Sequence, residues 1–322
     1  MGRARGRKVS ETTRPAGKRF LARLAPAGPS ASLNAHFSSH EDAVSEWFFT
    51  SDLHGQSDFY EQAMALAVER RPRALLIGGD LGPHEGGDGG VRRQRLFLEG
   101  FLVEFARRLR EAVPGVELLL MPGNDDWGAN QDVIERHDGE WWRSLHDRVV
   151  EIDGVRVAGL SYVPITPFGM KDWERWEDGE PESPLRLAGW RSEDGRSFEY
   201  AFDPAHRTPT IADALAGLAS RTDAGETVFV FHSPARDTHC DVTMTRHHVG
   251  SRAIRAFVER HQPPLVLSGH IHESPRVTGR WRDTIGRTAM VNPGQFGHPK
   301  LAGVWFDPAR PAETLRHTTH GE

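Results

Sequence analysis

The sequence predicts an α/β sandwich with mixed β-sheets rather than a barrel. Three observations lead there. Short apolar runs alternate with helix-spaced segments in the first half, and strands dominate the second half. No apolar run approaches the roughly 18 residues of a membrane span.

Trp47–Ser51 reads as the first buried strand, being apolar with aromatic and β-branched character. Asp58–Arg71 follows with helical spacing at Phe59, Ala63, Leu66 and Ala67. Ala74–Ile77 is the second strand, closed by Gly78 and Gly79, and Pro83–Gly90 reads as a glycine-rich loop. Val91–Val113 is the clearest helix, because Phe97, Phe101, Phe105 and Leu109 step by four. Val116–Met121 is the third strand. Arg148–Ile152 and Val155–Leu160 form a predicted hairpin, since Asp153-Gly154 suits a tight turn. Further strands are predicted at Thr227–Phe231, Leu265–Ser268, Thr288–Val291 and Gly303–Phe306, and helices at Thr210–Ser220 and Gly250–Arg260. Pro164–Arg207 has no clean period, yet holds Trp173, Trp176 and Trp190. A stretch this long and this aromatic is expected to be an ordered lid or wall. The expected domain is therefore 46–308 with a lid-like insertion at 164–207. A basic, disordered extension covers 1–45, and 309–322 forms a tail.

Charge and cysteine content narrow the function. The chain carries a net charge of −5, but Met1–Leu24 holds eight basic residues against one acid, leaving the remainder at −12. An acidic body argues against a duplex-binding groove, so nucleic acid is not the expected partner. The basic segment reads as a solvated extension, with a transit peptide or an anionic-surface tether as the other readings. A lone cysteine, Cys240, cannot form an intrachain disulfide. It suits a reducing, cytoplasmic compartment and is expected to be inert packing.

Five short motifs sit at predicted strand ends, where an open α/β sheet places its functional loops. They are Asp52-Leu-His54, Gly79-Asp80, Gly123-Asn124-Asp125-Asp126, His232-Ser233-Pro234 and Gly269-His270-Ile-His272. Each alone has an ordinary explanation. Asp52 can cap a helix, Asp80 can shape a turn, and His232 can be a satisfied core imidazole. In Gly-His-Ile-His the two histidines share one face if the segment is extended. Together the five supply carboxylates, an amide oxygen and imidazoles to one crevice, a mixed O/N donor set without cysteine. That set suits two divalent ions, manganese foremost, with iron, zinc, cobalt or nickel as alternatives. Two such ions generate a hydroxide nucleophile and stabilise the attacking and leaving oxygens of phosphoryl displacement.

In this order the motifs resemble the calcineurin-like metallophosphoesterase superfamily, over Trp47 to roughly Pro308. His248-Val-Gly-Ser-Arg, Ser268-Gly-His-Ile-His-Glu-Ser and Val291-Asn-Pro-Gly are similar to a prokaryotic branch related to cyclic-nucleotide phosphodiesterase-like proteins. The resemblance implies a sandwich of two mixed β-sheets flanked by helices, a small phosphoester or nucleotide as substrate, and hydrolysis of a phosphodiester or reactive phosphomonoester by a metal-bridging hydroxide. It also implies that Asp52, His54 and His272 hold one metal, that Asn124, His232 and His270 hold the other, and that Asp80 bridges them. Most of the superfamily carries a proton-donating histidine after the asparagine, where this chain has Asp125. An aspartate with an ordinary pKa of about 3.9 is ionised at neutral pH and is a poor acid. His84 or His239 is then the expected substitute, and Asp125 is either catalytic or a prop for Asn124 or a histidine. Asp126 is grouped with Asn124 and Asp125 at the catalytic loop and is expected to orient a ligand. Arg236 and Lys171 are candidate phosphate clamps, and Trp173 and Trp176 either stack on a nucleobase or cover the core. A nuclease and a catalytically silent scaffold are the competing functions. All seven ligand positions are present, which disfavours the scaffold.

Overall fold

In each apolar run, neighbouring residues are buried on opposite faces, as the two-residue period of a strand dictates. Phe48, Leu75, Ile77, Leu118 and Leu120 face one way, into a cluster with helical residues such as Tyr60, Phe105 and Leu109. Phe49, Leu76, Leu119, Val228, Val230, Leu265 and Leu267 share a second cluster between the sheets. Phe229, Phe231 and Val266 form a third with Leu215, Leu218, Ile254 and Phe257. The result is four layers, helix–sheet–sheet–helix. The computed structural model describes residues 46–178 and 186–320; the N-terminal extension at 1–45 and part of the insertion lie outside the described residues.

In chain order the elements begin with β1 (Trp47–Thr50), α1 (Ser57–Arg70), β2 (Ala74–Ile77), α2 (Gly87–Leu96), α3 (Val103–Ala112) and β3 (Glu117–Leu120). Then come α4 (Gln131–Arg136), β4 (Arg143–Ser144), β5 (Arg148–Ile152), β6 (Val155–Leu160), β7 (Val163–Pro164), β8 (Glu174–Arg175), β9 (Ala188–Glu193) and β10 (Arg196–Ala201). The rest are α5 (Ile211–Ala219), β11 (Val228–Phe231), α6 (Arg252–His261), β12 (Leu265–Leu267), α7 (Ser274–Thr278), β13 (Arg282–Ile285), β14 (Thr288–Val291), β15 (Val304–Phe306), α8 (Pro311–Thr314) and β16 (Arg316–His317). One six-stranded sheet runs β16-β15-β1-β2-β3-β4 and the other β13-β14-β12-β11-β6-β5. The first sheet is parallel from β1 to β4 and antiparallel at β15 and β16, and the second is parallel at its centre with antiparallel edges at β13 and β5, so both are mixed.

Three boundaries differ from the sequence expectation. The long helix begins at Gly87, inside the predicted loop, and a π-helical turn at Phe97–Leu102 separates α2 from α3. Glycines disfavour a helix here, but Asp88 in its first turn accepts hydrogen bonds from Ser197 N (2.7 Å) and Ser197 Oγ (2.8 Å) of β10, a tertiary contact. The sheet also continues past Pro308, because β16 pairs with β15. Finally, the insertion contains a β9–β10 hairpin turning at Asp194-Gly195, both with positive φ.

The insertion packs on the body at His146 through Trp173. His146 Nδ1 accepts from Ser161 N (3.1 Å), and the His146 ring meets the edges of Trp173 and Tyr162 at 4.7 and 4.9 Å. Burial pushes the imidazole down to about 4. The folded protein therefore refuses a proton that the unfolded chain, near the ordinary 6.5, accepts. Stability from this group is complete above pH 6.5 and falls as pH drops towards 4, by up to about 3 kcal/mol. Urea unfolding at pH 7 and pH 5 should show a smaller acid loss in His146→Gln than in wild type. Parallel losses would count against this assignment.

Candidate metal centre

Because β1, β2 and β3 are parallel, as are β11 and β12, their C-terminal ends deliver the motif loops to the same end of each sheet. The chain then turns sharply. φ is +61° at Asp52, +46° at His54, +51° at Asp80 and +63° at His270. Each such left-handed residue costs about 1 kcal/mol or more, so the loops must be held. They brace one another: Asp52 N donates to Gly79 O (3.1 Å), His54 N to Asp80 O (2.8 Å) and Gly269 N to His232 O (3.1 Å). The loops also approach too closely for side chains at two glycines. A Cβ on Gly79 would lie 2.4 Å from His232 Nδ1, and one on Gly269 would lie 2.4 Å from Asp52 Oδ2.

Donor atoms converge in two overlapping groups. Ligand atoms of Asp52, His54 and Asp80 all lie within 4.8 Å of one another. Asn124 Oδ1 lies 3.0 Å from His232 Nε2 and 2.6 Å from His270 Nδ1. Asp80 belongs to both groups: its Oδ2 is 3.8 Å from His54 Nε2 and 3.4 Å from His232 Nε2, while its Oδ1 accepts from Asp125 N (2.8 Å). His272 closes the first group, its ring centroid 5.7 Å from that of His54.

These residues fit a divalent cation on the structure's own terms. Asp52 Oδ2, His54 Nδ1 and His272 Nδ1 are buried polar atoms without a hydrogen-bond partner, a costly arrangement that a cation would satisfy. His232 Nδ1 lies 2.8 Å from Gly78 O, which can only accept, so Nδ1 carries the hydrogen and Nε2 is the atom turned to Asn124 and Asp80. That is how a metal-binding imidazole is oriented by its carbonyl partner. Burial works against ionised Asp80, but the facing His232 and His54 imidazoles outweigh it and hold the carboxyl well below its usual range. Burial raises Asp52 and pushes His270 down to about 3, leaving that ring a neutral donor.

The neighbouring aspartates divide their work. Asp126, grouped by sequence with the catalytic loop, does not line the cavity. Its buried carboxylate accepts from Leu81 N (2.9 Å), Gly82 N (2.9 Å) and Gly123 N (2.8 Å), tying the β2 loop to the β3 loop. Burial and the charge of Asp80 lift it to about 7 in spite of those donors. Asp126→Ala should cost about 3 kcal/mol or more in denaturant unfolding, by stranding three buried N–H groups, and weaken metal binding about tenfold or more. A variant as stable as wild type would refute that role. Asp125 instead faces the cavity: Oδ1 accepts from Asn124 Nδ2 (2.9 Å), and Oδ2 holds His84 Nδ1 at 2.8 Å.

A cavity of about 860 Å³ opens beside the centre, lined by Asp80, His84, Asn124, Asp125, His270 and His272. The insertion supplies one wall, including Pro164–Phe168, Arg175 and Trp176, so it acts as a wall of the site. Arg236 lines the cavity, as a phosphate clamp must. Lys171 does not. It is fully buried, its Nζ donating to Thr166 O (2.8 Å) and Glu174 Oε2 (2.6 Å), because an ammonium group this far from solvent needs both partners. Trp173 is also committed elsewhere: it is buried and its Nε1 donates to Asp126 O (2.7 Å). Trp176 packs with Phe202 and Ile165, which favours the core role over base stacking. His239 lies away from the cavity, its backbone N donating to Asp283. Cys240 is buried, and burial pushes its thiol up, so it is inert. Asn292 of Val291-Asn-Pro-Gly has a part that sequence reasoning misses. Its Nδ2 donates to the carbonyls of Cys240, Gly269 and Ile271 at 2.9–3.2 Å and shapes the histidine loop.

Fold and site together set a candidate metal centre at the strand ends of an α/β/β/α sandwich. The calcineurin-like phosphoesterase family pattern matches residues 48–274, and the chain belongs to that family. No curated protein matches the chain. Among solved structures, TT1561 of Thermus thermophilus is similar in fold, with a TM-score of 0.51 and 18% identity over 85% of this chain and 98% of that one. A further crystal structure matches with a TM-score of 0.58 and 16% identity, over the same shares of the two chains. Among the described residues no helix is long and apolar enough to cross a membrane.

Proposed function

We propose that the chain is a dinuclear phosphoesterase that hydrolyses a phosphodiester or a reactive phosphomonoester. The observation that carries this reading is the position of Asp80, whose Oδ2 faces both His54 and His232 while its neighbours Asp52 and His54 keep buried, partnerless donor atoms. Asp52, His54 and His272 would hold one ion, Asn124, His232 and His270 the other, with Asp80 between them. Manganese is the first choice for this O/N set. When bound, such a pair activates water near neutral pH and offsets charge on the attacking and leaving oxygens.

The chain's own groups supply the remaining steps. Asn124 and His270 present one set of donors from opposite sheets, which fixes the geometry before substrate arrives. The departing alkoxide needs a proton. Asp125 holds His84 by its Nδ1, at 2.8 Å, and this hydrogen bond keeps the imidazole above its usual range. His84 is half-exposed on the cavity, so its Nε2–H is the proton source. The test is reconstitution with Mn²⁺ and hydrolysis of bis-p-nitrophenyl phosphate against p-nitrophenyl phosphate. Diester turnover with close to two ions per chain is the expected result. A protein that binds no ion and turns over neither ester would end the proposal.

A further inference from the structure

The His248-Val-Gly-Ser-Arg stretch takes no part in the metal centre, yet it carries a second carboxylate–imidazole pair. Asp241 is fully buried, and its carboxylate accepts from Thr238 N (2.9 Å), Asp237 N (3.1 Å) and Gly250 N (3.0 Å). These three donors already satisfy it. Its Oδ1 nevertheless also meets His248 Nδ1 at 2.6 Å. The His248 side chain is 41% exposed and lines the same cavity as His270 and His272. Its hairpin is fastened beside the second of these: Val242 bridges His248, Val242 N donates to Ser274 Oγ (2.8 Å), and Met244 N donates to Glu273 Oε1 (3.4 Å).

In the neutral ring this arrangement fixes the hydrogen on Nδ1, where the carboxylate takes it, and leaves the Nε2 lone pair as an acceptor. The cavity, at about 860 Å³, is on the scale that encloses a whole small molecule rather than a phosphate alone. The organic part of the substrate therefore extends past the phosphorus into a space with a preset acceptor. A hydroxyl group is its natural complement.

We propose that His248, oriented by Asp241, accepts a hydrogen bond from a hydroxyl of the substrate's alcohol portion, so that phosphoesters of polyhydroxylated alcohols are preferred. The proposal rests on the phosphoesterase reading above. His248 is a specificity residue here, and Asp241 is a positioning residue.

The Mn²⁺-loaded full chain is assayed on the p-nitrophenyl diesters of glycerol phosphate and of propyl phosphate. Wild type should favour the glyceryl ester about tenfold, with the difference in KM. His248→Ala should reduce the preference to about twofold or less, and His248→Gln, which keeps an acceptor oxygen, should restore part of it. Asp241→Asn should also erase it with the ring retained, because an amide can donate to Nδ1 and so place the hydrogen on Nε2. Calorimetric binding of glycerol 3-phosphate against propyl phosphate reads the same preference without turnover. A binding preference that His248→Ala removes, with no hydrolysis of any ester, would leave this inference standing and defeat the proposed reaction. Equal treatment of both esters and both ligands by wild type, or an equal loss on both in His248→Ala, overturns it.

Discussion

Asp80→Asn is expected to lower Mn²⁺-dependent diester turnover by about 10³-fold or more while the protein remains folded. Both oxygens of Asp80 are in use. One accepts from Asp125 N, and the other faces His54 and His232. An amide can meet only one of these demands. If its oxygen keeps the Asp125 hydrogen bond, a neutral NH₂ group faces the imidazoles and the charge that two cations need is gone. Some stability should also be lost in the metal-free protein, because the His54 and His232 imidazoles lose the carboxylate they face. Metal analysis and bis-p-nitrophenyl phosphate turnover on the same preparation check both halves. Wild-type turnover with a full metal complement in the variant would remove Asp80 from the centre.

The second large effect concerns the leaving group. His84→Asn should slow alkyl phosphodiesters by about 10²-fold or more, yet change p-nitrophenyl esters less than about threefold. p-Nitrophenolate departs as a stable anion and gains little from a proton donor; an alkoxide cannot leave without one. Asp125 is the reason the loss should be selective. Its carboxylate touches both Asn124 and His84, so it can set the imidazole without altering the ligand atoms. His84→Asn should therefore keep its metal, and the basic limb of the wild-type pH–rate profile on alkyl esters should vanish. A uniform loss on both ester types would instead point to a structural role for His84.

These two results separate what a local pattern reveals from what it hides. The strands are readable because a run buried on both faces must be apolar throughout, and β1, β2, β6 and β11 are largely so. The convergence of the candidate ligands is readable because five motifs lie at strand ends, and a parallel sheet sends such loops to one end. Asp194-Gly195 carries the same turn signal as Asp153-Gly154, but the strands beside it are half-exposed and lack an apolar period, which hides the β9–β10 hairpin. The start of α2 at Gly87 is beyond local pattern altogether, since Asp88 finds its partner 109 residues away in Ser197.

The same distinction governs individual side chains. Residue type suggests clamps and stacking platforms at Lys171 and Trp173, and three-dimensional packing gives both to internal hydrogen bonds. It also puts His84 on the cavity beside Asp125, ties the backbone of His239 to Asp283, and joins Asp241 to His248. Candidate ligands follow from chemistry that each residue carries in its own side chain, and from a backbone period that repeats within a few residues. Proton donors, clamps and specificity contacts depend on distances between segments far apart in the chain. Burial and neighbouring charge, which set whether a group is free to act, exist only once those segments have met.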